Sequence, residues 1–339
     1  MSAVKFLREK WGYLLLLILA LLLPALVTNR YHFQIVIMGC LFSIATLSMN
    51  LILGYTGQAS LAHAGFFGLG AYGVALLTKA GISFWLALPL SALFSASIGL
   101  LIGLPTLRSR GSYFAISTMC FGVIISIVAG NWIEVTGGFN GIVGIPLPSP
   151  ISIPFIGEIT FKSLTAQYYL VLAFLLFTLW VMHRLVYSLL GLSFMAIRNN
   201  EVLAEAVGIA TFWGKVLSFV VANFFAGLAG GIYASLLGNI SPGTASLDLT
   251  FNWLVFLLLG GAATLAGPIL GAFAIPVLME YLQFLAEYRM IIFGVLLIVV
   301  IIYFPRGLMG GITALRDRAR AYGQKKGEVK GEVKSVAGN

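Results

Sequence analysis

The sequence predicts an all-α fold, a polytopic bundle of transmembrane helices. Of its 339 residues, 60% are hydrophobic and only 9% are charged, whereas about a quarter of a soluble domain is charged. Hydrophobic stretches of about 17 to 25 residues recur along the chain, and a helix needs that length to cross a bilayer. These stretches lack the strict alternation of membrane β-strands, which argues against a barrel.

The hydrophobic stretches define about ten candidate spans, within a range of about eight to ten. They lie near residues 12–28, 33–53, 61–78, 84–104, 113–130, 167–187, 213–237, 251–266, 268–286 and 290–304. The first run is longer than the core of a signal peptide, and no clear cleavage site follows it, so we interpret it as a span. Glycines interrupt the pattern near 54–62 and 260–268, where we expect broken or re-entrant helices, with a tight turn as the alternative.

The basic residues predict the orientation of the chain, because cytoplasmic loops retain Lys and Arg. An even number of spans with both termini in the cytoplasm places most of the 20 Lys and Arg inside. We therefore expect a membrane domain over residues 1–310. Residues 311–339 form a basic cytoplasmic tail with too few apolar residues to fold alone. For this tail, contact with the anionic lipid surface or plain disorder is favoured over contact with nucleic acid.

Two polar stretches between spans are too long for simple turns. Residues 131–166 lie outside in this orientation and are rich in Pro and Gly, which indicates an ordered external loop. Residues 188–212 lie inside. They contain Glu201 and Glu205, four residues apart, followed by Gly208, and this pattern predicts a short cytoplasmic helix that ends at the glycine.

The segment "NLILGYTGQASLAHAGFFGLGAYGVALL", residues 50–77, places Gln58, Ser60 and His63 between two apolar runs. An unpaired polar group in hydrocarbon costs on the order of several kcal/mol. On a helix, Ser60 and His63 would share a face, as an intramembrane hydrolase would require. We favour the alternative that these side chains hydrogen-bond backbone groups that a helix break leaves unpaired.

The sequence at the first break is weakly similar to the sequence at the second one. Residues 60–71, "SLAHAGFFGLGA", resemble residues 264–272, "TLAGPILGA", and paired interrupted segments in the two halves of a transporter mark broken helices beside a substrate path. Chance similarity between apolar sequences is the alternative. The polar residues that we assign to a hypothetical substrate path are Gln58, Ser60, His63 and Thr264. The glycines expected to break the helices are Gly54, Gly57, Gly65, Gly260, Gly261 and Gly267.

Motifs that the sequence lacks exclude several classes of function. It contains no G-x-x-x-x-G-K-[ST], so it has no P-loop for ATP. It contains no H-E-x-x-H, no G-x-S-x-G and no run of closely spaced His and Cys, so neither a metal site nor a nucleophile is predicted. Glu134 and Glu280 are the acidic candidates and lie near span ends. The shortage of intramembrane charge argues against an ion-coupled carrier, although carbonyls alone can bind sodium.

Five blocks of sequence carry a family resemblance. They are "GYTGQASLAHAGFFGLGAY", "TLRSRGSYFAISTMCFG" with "NWIEVTGGFNGI", "AIRNNEVLAEAVGI", "LLGGAATLAGPILGAF" and "FGVLLIVVIIYFPRGLMG". They follow one another across residues 54–310. Together they resemble the membrane-spanning permease subunits of bacterial branched-chain amino-acid ABC importers, specifically the larger of the two permease types.

The resemblance implies a transport subunit that performs no chemistry and binds no cofactor itself. Its implied partners are a second homologous permease, two ATPase subunits that bind ATP and Mg²⁺, and a periplasmic or lipid-anchored substrate-binding protein. The implied activity is translocation of Leu, Ile or Val across the bacterial inner membrane by alternating access. A urea or short-chain amide importer is the alternative within this architecture, and an ion-coupled carrier or channel is the alternative outside it.

The resemblance also implies roles for two surface segments. Residues 196–209 resemble the cytoplasmic coupling loop whose short helix sits in a groove of the ATPase subunit. The residues implied there are Arg198, Asn199, Asn200, Glu201, Glu205 and Gly208, in a sequence that reads Glu-Ala-Val-Gly where the family has a stricter Glu-Ala-Ala form. The external stretch with Thr136, Gly137, Gly138 and Gly141 resembles the region that faces the substrate-binding protein.

Overall fold

The computed structural model describes residues 18, 20–24, 29–109, 111–153, 157–281, 294, 298, 302 and 307–310. Helices dominate this part of the chain, which confirms the predicted helical membrane class. The predicted spans near 12–28 and 290–304 lie largely outside the described residues, and the predicted tail at 311–339 lies wholly outside them.

The helices of the described residues follow one another with few interruptions. In chain order they are α1 (Arg30–Asn50), continued by a π-helical turn (Leu51–Tyr55), α2 (His63–Lys79), α3 (Phe84–Thr106), α4 (Ser112–Asn131), α5 (Ile133–Thr136), α6 (Leu164–Val186), α7 (Leu189–Asn199), α8 (Glu201–Ala206), α9 (Thr211–Leu237), α10 (Leu247–Gly260) and α11 (Ala266–Tyr281). Two 3-10 turns lie at Gly138–Asn140 and Pro242–Ala245.

Five helices of the described residues are long and apolar enough to cross a membrane: Arg30–Tyr55, α3, α4, α6 and α9. Two helices beside the predicted breaks are shorter, with 17 residues in α2 and 14 in α10, and α11 is described over 16 residues as far as Tyr281. Each span predicted between residues 33 and 286 overlaps one of these helices, although residues 282–286 of the last one lie outside the described residues. The protein is therefore a multi-pass membrane protein.

Local sequence sets several helix ends. The side chain of Asn29 accepts a hydrogen bond from the Tyr31 N–H at 3.0 Å and caps α1. Ser163 caps α6 in the same way, with 3.2 Å between its hydroxyl and the Ala166 nitrogen. The helix α9 ends where Gly238 adopts a φ of +72°, a conformation that glycine adopts without strain.

The centre of the bundle is formed by α2, α3 and α9, which pack through small residues. A side chain at Gly70 would overlap the Gly227 carbonyl, and one at Gly230 would overlap the Phe67 carbonyl. The Ser95 hydroxyl of α3 lies 3.0 Å from the carbonyl oxygens of both Phe66 and Asn223. Backbones that approach this closely leave no space for independent movement, so the three helices form one tightly packed unit.

The helices α1, α6, α10 and α11 surround one side of this unit. Aromatic side chains fill the space between them: Trp253 is fully buried, with its ring 5.0 Å from that of Phe67 and 6.3 Å from that of Phe42. Such rings bury large apolar areas. The aromatic core therefore joins α10 to both α1 and α2.

The described β-structure is confined to short two-stranded ribbons. The strands are β1 (Ile142–Val143), β2 (Ile151–Ile153), β3 (Gly157–Ile159) and β4 (Asn239–Ile240). In the antiparallel pair of β1 and β4, Ile142 lies opposite Ile240, and in the pair of β2 and β3, Ile151 lies opposite Ile159. The first pair attaches the 131–166 loop to the C-terminal end of α9, whereas the 188–212 loop precedes its N-terminal end. The two loops therefore lie at opposite ends of the bundle.

Candidate functional site

The predicted break after α1 is present. The π-helical turn ends with the Thr56 N–H and hydroxyl both bonded to the Leu51 carbonyl, at 3.2 and 2.9 Å, and the Gln58 N–H reaches the Ile52 carbonyl at 3.0 Å. Gly57 has a φ of +76°, and the chain becomes helical again at His63. Widening to a π-turn followed by a left-handed glycine is how this sequence ends the helix.

The start of α2 is buried, and its N–H groups need partners because no preceding turn supplies them. The Leu61 N–H donates to the Thr118 hydroxyl of α4 at 3.1 Å. The Ala64 N–H donates to the Thr250 hydroxyl of α10 at 2.9 Å. Two helices that are distant in sequence therefore stabilise the break by capping the helix that follows it.

His63 is fully buried at the start of α2. Its Nε2 lies 3.1 Å from the Ala45 carbonyl oxygen and 2.8 Å from the Ser48 hydroxyl, which itself donates to the Ala45 carbonyl. A carbonyl only accepts, so this geometry assigns the ring proton to Nε2. The His63 ring meets the Trp253 ring edge-on at 5.9 Å.

The arrangement does not support the hydrolase alternative. Ser60 precedes α2 rather than sharing a helical face with His63, and the hydroxyl bonded to His63 belongs to Ser48, which is fully buried. Among the described residues, the Ser60 hydroxyl, His63 Nδ1 and Trp253 Nε1 have no hydrogen-bond partner. Gln58 of the same break is half-buried. The first break thus contains buried polar atoms whose hydrogen-bonding capacity the protein leaves unused.

The predicted break after α10 is also present. The helix ends at Gly260, and Gly261 and Ala263 have positive φ angles of 114° and 58°. The Thr264 hydroxyl donates to the Gly261 carbonyl at 2.8 Å and accepts from the Gly267 N–H at 3.0 Å. Thr264 therefore joins the end of α10 to the start of α11.

The two breaks are bonded to each other through Asn50, the last residue of α1. Its Oδ1 accepts from the Ala263 N–H at 2.9 Å, and its Nδ2 donates to the Thr264 carbonyl at 2.7 Å. Asn50 is fully buried, so these bonds replace the water that the amide and the backbone groups would otherwise need. Sequence reasoning missed this residue. The available signal was an amide immediately before the interrupted segment.

Most of the predicted break glycines fulfil a structural need. Gly57 and Gly261 supply positive φ, whereas Gly54, Gly260 and Gly267 supply space: a side chain at Gly54 would overlap the Asn50 amide oxygen, and side chains at the other two would overlap backbone carbonyls within the second break. Gly65 requires a correction. It lies inside α2, where an added Cβ would lie 3.3 Å from the Gly122 Cα, so it permits helix packing rather than a break.

The 188–212 loop contains two helices where the sequence predicted one. Asn200 separates α7 from α8, and its Oδ1 accepts from the Leu203 N–H at 3.0 Å as the cap of α8. Arg198 therefore belongs to α7, and only Glu201 and Glu205 share α8. The expected end at the glycine is present, with a φ of +87° at Gly208.

The two carboxylates of α8 are bonded to α9. Glu201 Oε1 lies 2.7 Å from Lys215 Nζ, and the Thr211 hydroxyl donates to Glu205 Oε1 at 2.6 Å. The exposed residues of this loop include apolar side chains that the sequence analysis did not single out. Around α8 they are Val202, Leu203 and Val207, which lie near the exposed Arg198, Asn199 and Asn200, and in α7 they are Leu189, Leu190 and Leu192.

The motif residues of the 131–166 loop also have structural roles. The Thr136 hydroxyl lies 2.7 Å from the carbonyl oxygens of both Ala129 and Trp132, so it attaches α5 to the end of α4. The glycines of this motif, Gly137, Gly138 and Gly141, all have positive φ. A side chain at Gly141 would overlap the Ile240 carbonyl. The large exposed side chains around this scaffold are Trp132, Ile133, Phe139 and Val143.

Residues 31–301 match the family model described as the branched-chain amino acid transport system permease component. The chain belongs to this permease family. It is 32% identical to the high-affinity branched-chain amino acid transport system permease protein LivM of Salmonella typhimurium, over 95% of this chain and 79% of that protein. The LivM protein of Escherichia coli is also 32% identical, over 89% and 75%.

A relative with a different named cargo is more distant. The autoinducer 2 import system permease protein LsrC of Enterobacter sp. is 28% identical, over 78% of this permease and 76% of that protein. No solved structure matches the permease.

The permease combines its two breaks and its 188–212 loop at one end of the bundle. A Cβ at Gly57 would lie 3.0 Å from Arg198 Cγ and 3.2 Å from Arg198 Cα. The main chain of the first break therefore passes directly against α7. Sequence reasoning assigned these segments separate roles, and only the tertiary structure brings them into contact.

Proposed function

We propose that this permease is the membrane-spanning subunit of an ATP-driven importer that translocates branched-chain amino acids across the bacterial cytoplasmic membrane. The similarity to the LivM proteins over nearly the whole chain carries this proposal. The relative named for autoinducer 2 import has lower identity and matches a smaller share of this chain, which favours Leu, Ile or Val. Urea and short-chain amides are the alternative substrates, and the experiment must distinguish them from Leu, Ile and Val.

The proposed path runs beside the two joined breaks. Gln58, Ser60, His63 and Thr264 belong to them, and the described polar atoms without partners at Ser60 and His63 support this placement. A substrate that sheds water needs replacement hydrogen bonds at such a place. The permease supplies no chemistry, so the path needs polar groups for transient contact rather than a catalytic centre.

We propose that energy reaches the permease through the 188–212 loop. ATP with Mg²⁺ binds to two ATPase subunits, and the permease itself binds no cofactor. The exposed Val202, Leu203 and Val207 form the apolar part of the ATPase contact, because large exposed apolar side chains at the end of a bundle, outside the membrane, favour a protein partner. Arg198, Asn199 and Asn200 form its polar rim, and Glu201 and Glu205 hold the loop in place.

At the opposite end, the proposed partner is a substrate-binding protein in the periplasm or anchored to lipid. Thr136, Gly137, Gly138 and Gly141 shape the 131–166 loop, and the exposed Ile133, Phe139 and Val143 present the contact surface. A second homologous permease completes the path. The sequence of events is alternating access, in which partner binding favours different conformations of one pathway.

Reconstitution tests this proposal. The permease, co-purified with its partner permease and ATPases, is placed in proteoliposomes with the binding protein, and uptake of radiolabelled leucine is measured with and without ATP. We expect ATP-dependent uptake that excess isoleucine or valine inhibits and that excess urea or acetamide does not. Leucine movement by the permease alone, driven by an ion gradient, would contradict the proposal.

A further inference from the structure

We infer that the ion pair between Glu201 and Lys215 transmits movement of the 188–212 loop to the packed unit of α2, α3 and α9. This inference rests on the proposed function, because it concerns how ATPase binding at the loop reaches the helices. Both residues act through other groups, so they are positioning residues.

The geometry of Lys215 suits such a link. Lys215 lies in the first turns of α9 and is buried, and its Nζ lies 2.7 Å from Glu201 Oε1 and 3.2 Å from the Leu107 carbonyl oxygen. Leu107 follows the last residue of α3, where helix carbonyls lack intrahelical partners and attract cations. One ammonium group therefore joins α8, α9 and the end of α3.

The surroundings of this ion pair make it resistant to separation. The Glu201 side chain is 18% exposed and that of Lys215 is 4% exposed, so solvent screens their attraction poorly. Separation would take the carboxylate partner away from the buried Lys215 ammonium, which is costly in a poorly solvated position. Movement of α8 therefore displaces Lys215 with it rather than breaking the contact.

The packed unit carries that displacement onward. Gly70 and Gly230 allow α2 and α9 to meet through their backbones, and Gly99 of α3 lies against Asn223 of α9. Rigid helices in such contact move together. Because α2 begins at His63, immediately after the first break, displacement of this unit changes the position of the break. The contact between Gly57 and Arg198 places the same break against the moving loop.

The test measures movement of the break independently of the transported substrate. Ala59 is exposed within the break and belongs to none of the proposed binding groups. Ala59→Cys, in a background with Cys120→Ser, provides a thiol whose rate of labelling by a maleimide is measured in the complete complex. The complex is compared without nucleotide and trapped with ATP and vanadate. Lys215→Met removes the ion pair, and Lys215→Arg preserves it. The matched control is Thr211→Val, which removes the neighbouring hydrogen bond to Glu205.

With Lys215 present, we expect nucleotide to change the labelling rate about threefold, because a shift in population between two conformations changes the average accessibility of the thiol. In Lys215→Met, this change should disappear while the ATPase still co-purifies, and Lys215→Arg and Thr211→Val should retain it. Glu201→Leu should lose the nucleotide-dependent change in labelling rate, as Lys215→Met does. The double variant should show no larger loss than either single variant, because the two residues act as a unit.

Three results would overturn the inference: an unchanged nucleotide response in Lys215→Met, no response in the parent complex, or loss of ATPase association in Lys215→Met, which would give the pair a docking role instead. Leucine uptake is measured in the same preparations. If uptake is absent but the nucleotide response depends on Lys215, the proposed function fails and the transmission role stands. If uptake is present and Lys215→Met still responds to nucleotide, the proposed function stands and the transmission role fails.

Discussion

Asn50 and Ala263 are joined by a hydrogen bond of 2.9 Å across 213 positions of sequence. The same Asn50 side chain donates to the Thr264 carbonyl at 2.7 Å. One buried amide therefore satisfies backbone groups of the second break while it ends the helix that leads into the first. This pairing makes the two interruptions a single structural feature.

Replacing Asn50 should destabilise the permease. Asn50→Leu leaves the Ala263 N–H and the Thr264 carbonyl without their partner, at a cost of about 1–3 kcal/mol for each buried group. We expect a lower unfolding temperature in detergent and loss of leucine uptake. The control is Asn199→Leu at an exposed position, which should keep the unfolding temperature of the unmodified protein. An unchanged unfolding temperature in Asn50→Leu would show that the amide is dispensable.

Adding a methyl group at Gly54 should separate the two breaks. The new Cβ of Gly54→Ala would overlap Asn50 Oδ1 and lie 2.7 Å from the Ala263 nitrogen, so the pairing must shift. We expect reduced stability and reduced uptake. Gly130→Ala is the matched control, because its nearest contact, with Phe139, is an ordinary 3.7 Å. Equal thermal stability of the two variants would contradict the close approach at Gly54.

Removing the Gln58 side chain should affect transport more than stability. Gln58 is only half-buried, so Gln58→Ala creates little cavity, whereas a substrate path would lose a polar contact. We expect a normal protein level and normal ATPase association, with leucine uptake reduced about tenfold, equivalent to about 1.4 kcal/mol. Uptake kinetics equal to those of the unmodified permease would remove Gln58 from the path.

A charge on the exposed face of α8 should weaken the ATPase contact. Val202→Asp places a carboxylate where an apolar side chain is 62% exposed, and desolvation of that charge opposes docking. We expect loss of ATPase co-purification with normal membrane insertion. Val143→Asp is the matched control, since Val143 is 66% exposed at the other end of the bundle. Equal ATPase recovery from both variants would count against the α8 surface.

Truncation of Phe139 should affect the opposite partner. Its ring is 82% exposed in the 131–166 loop, and exposed aromatic side chains are frequent anchors in protein interfaces. In the reconstituted complex, Phe139→Ala should lose the stimulation of ATP hydrolysis by the loaded binding protein and keep basal hydrolysis. Tyr113→Ala, at an exposed aromatic residue of α4, serves as the control. Full stimulation in Phe139→Ala would place the binding-protein contact elsewhere.

Sequence patterns predicted the helices that cross the membrane and the positions where two of them are interrupted. Both are local properties: apolar length specifies a span, and glycine allows the left-handed conformations at Gly57 and Gly261. Gly65 shows that residue type alone does not specify whether a glycine breaks a helix or allows helices to pack. Its residue type is the same, but its neighbour Gly122 on another helix makes it a packing contact.

The sequence by itself determined the class of protein, the family and the places where the backbone must leave the helix. Only the tertiary structure decided which groups pair. Spacing put Glu201 and Glu205 on one face of a short helix, but the positions of Lys215 and Thr211 bonded both carboxylates to α9 and left Val202 exposed. The physical reason is that a buried polar group must find a partner wherever packing brings one, and no local pattern specifies a partner as distant as Ala263 is from Asn50.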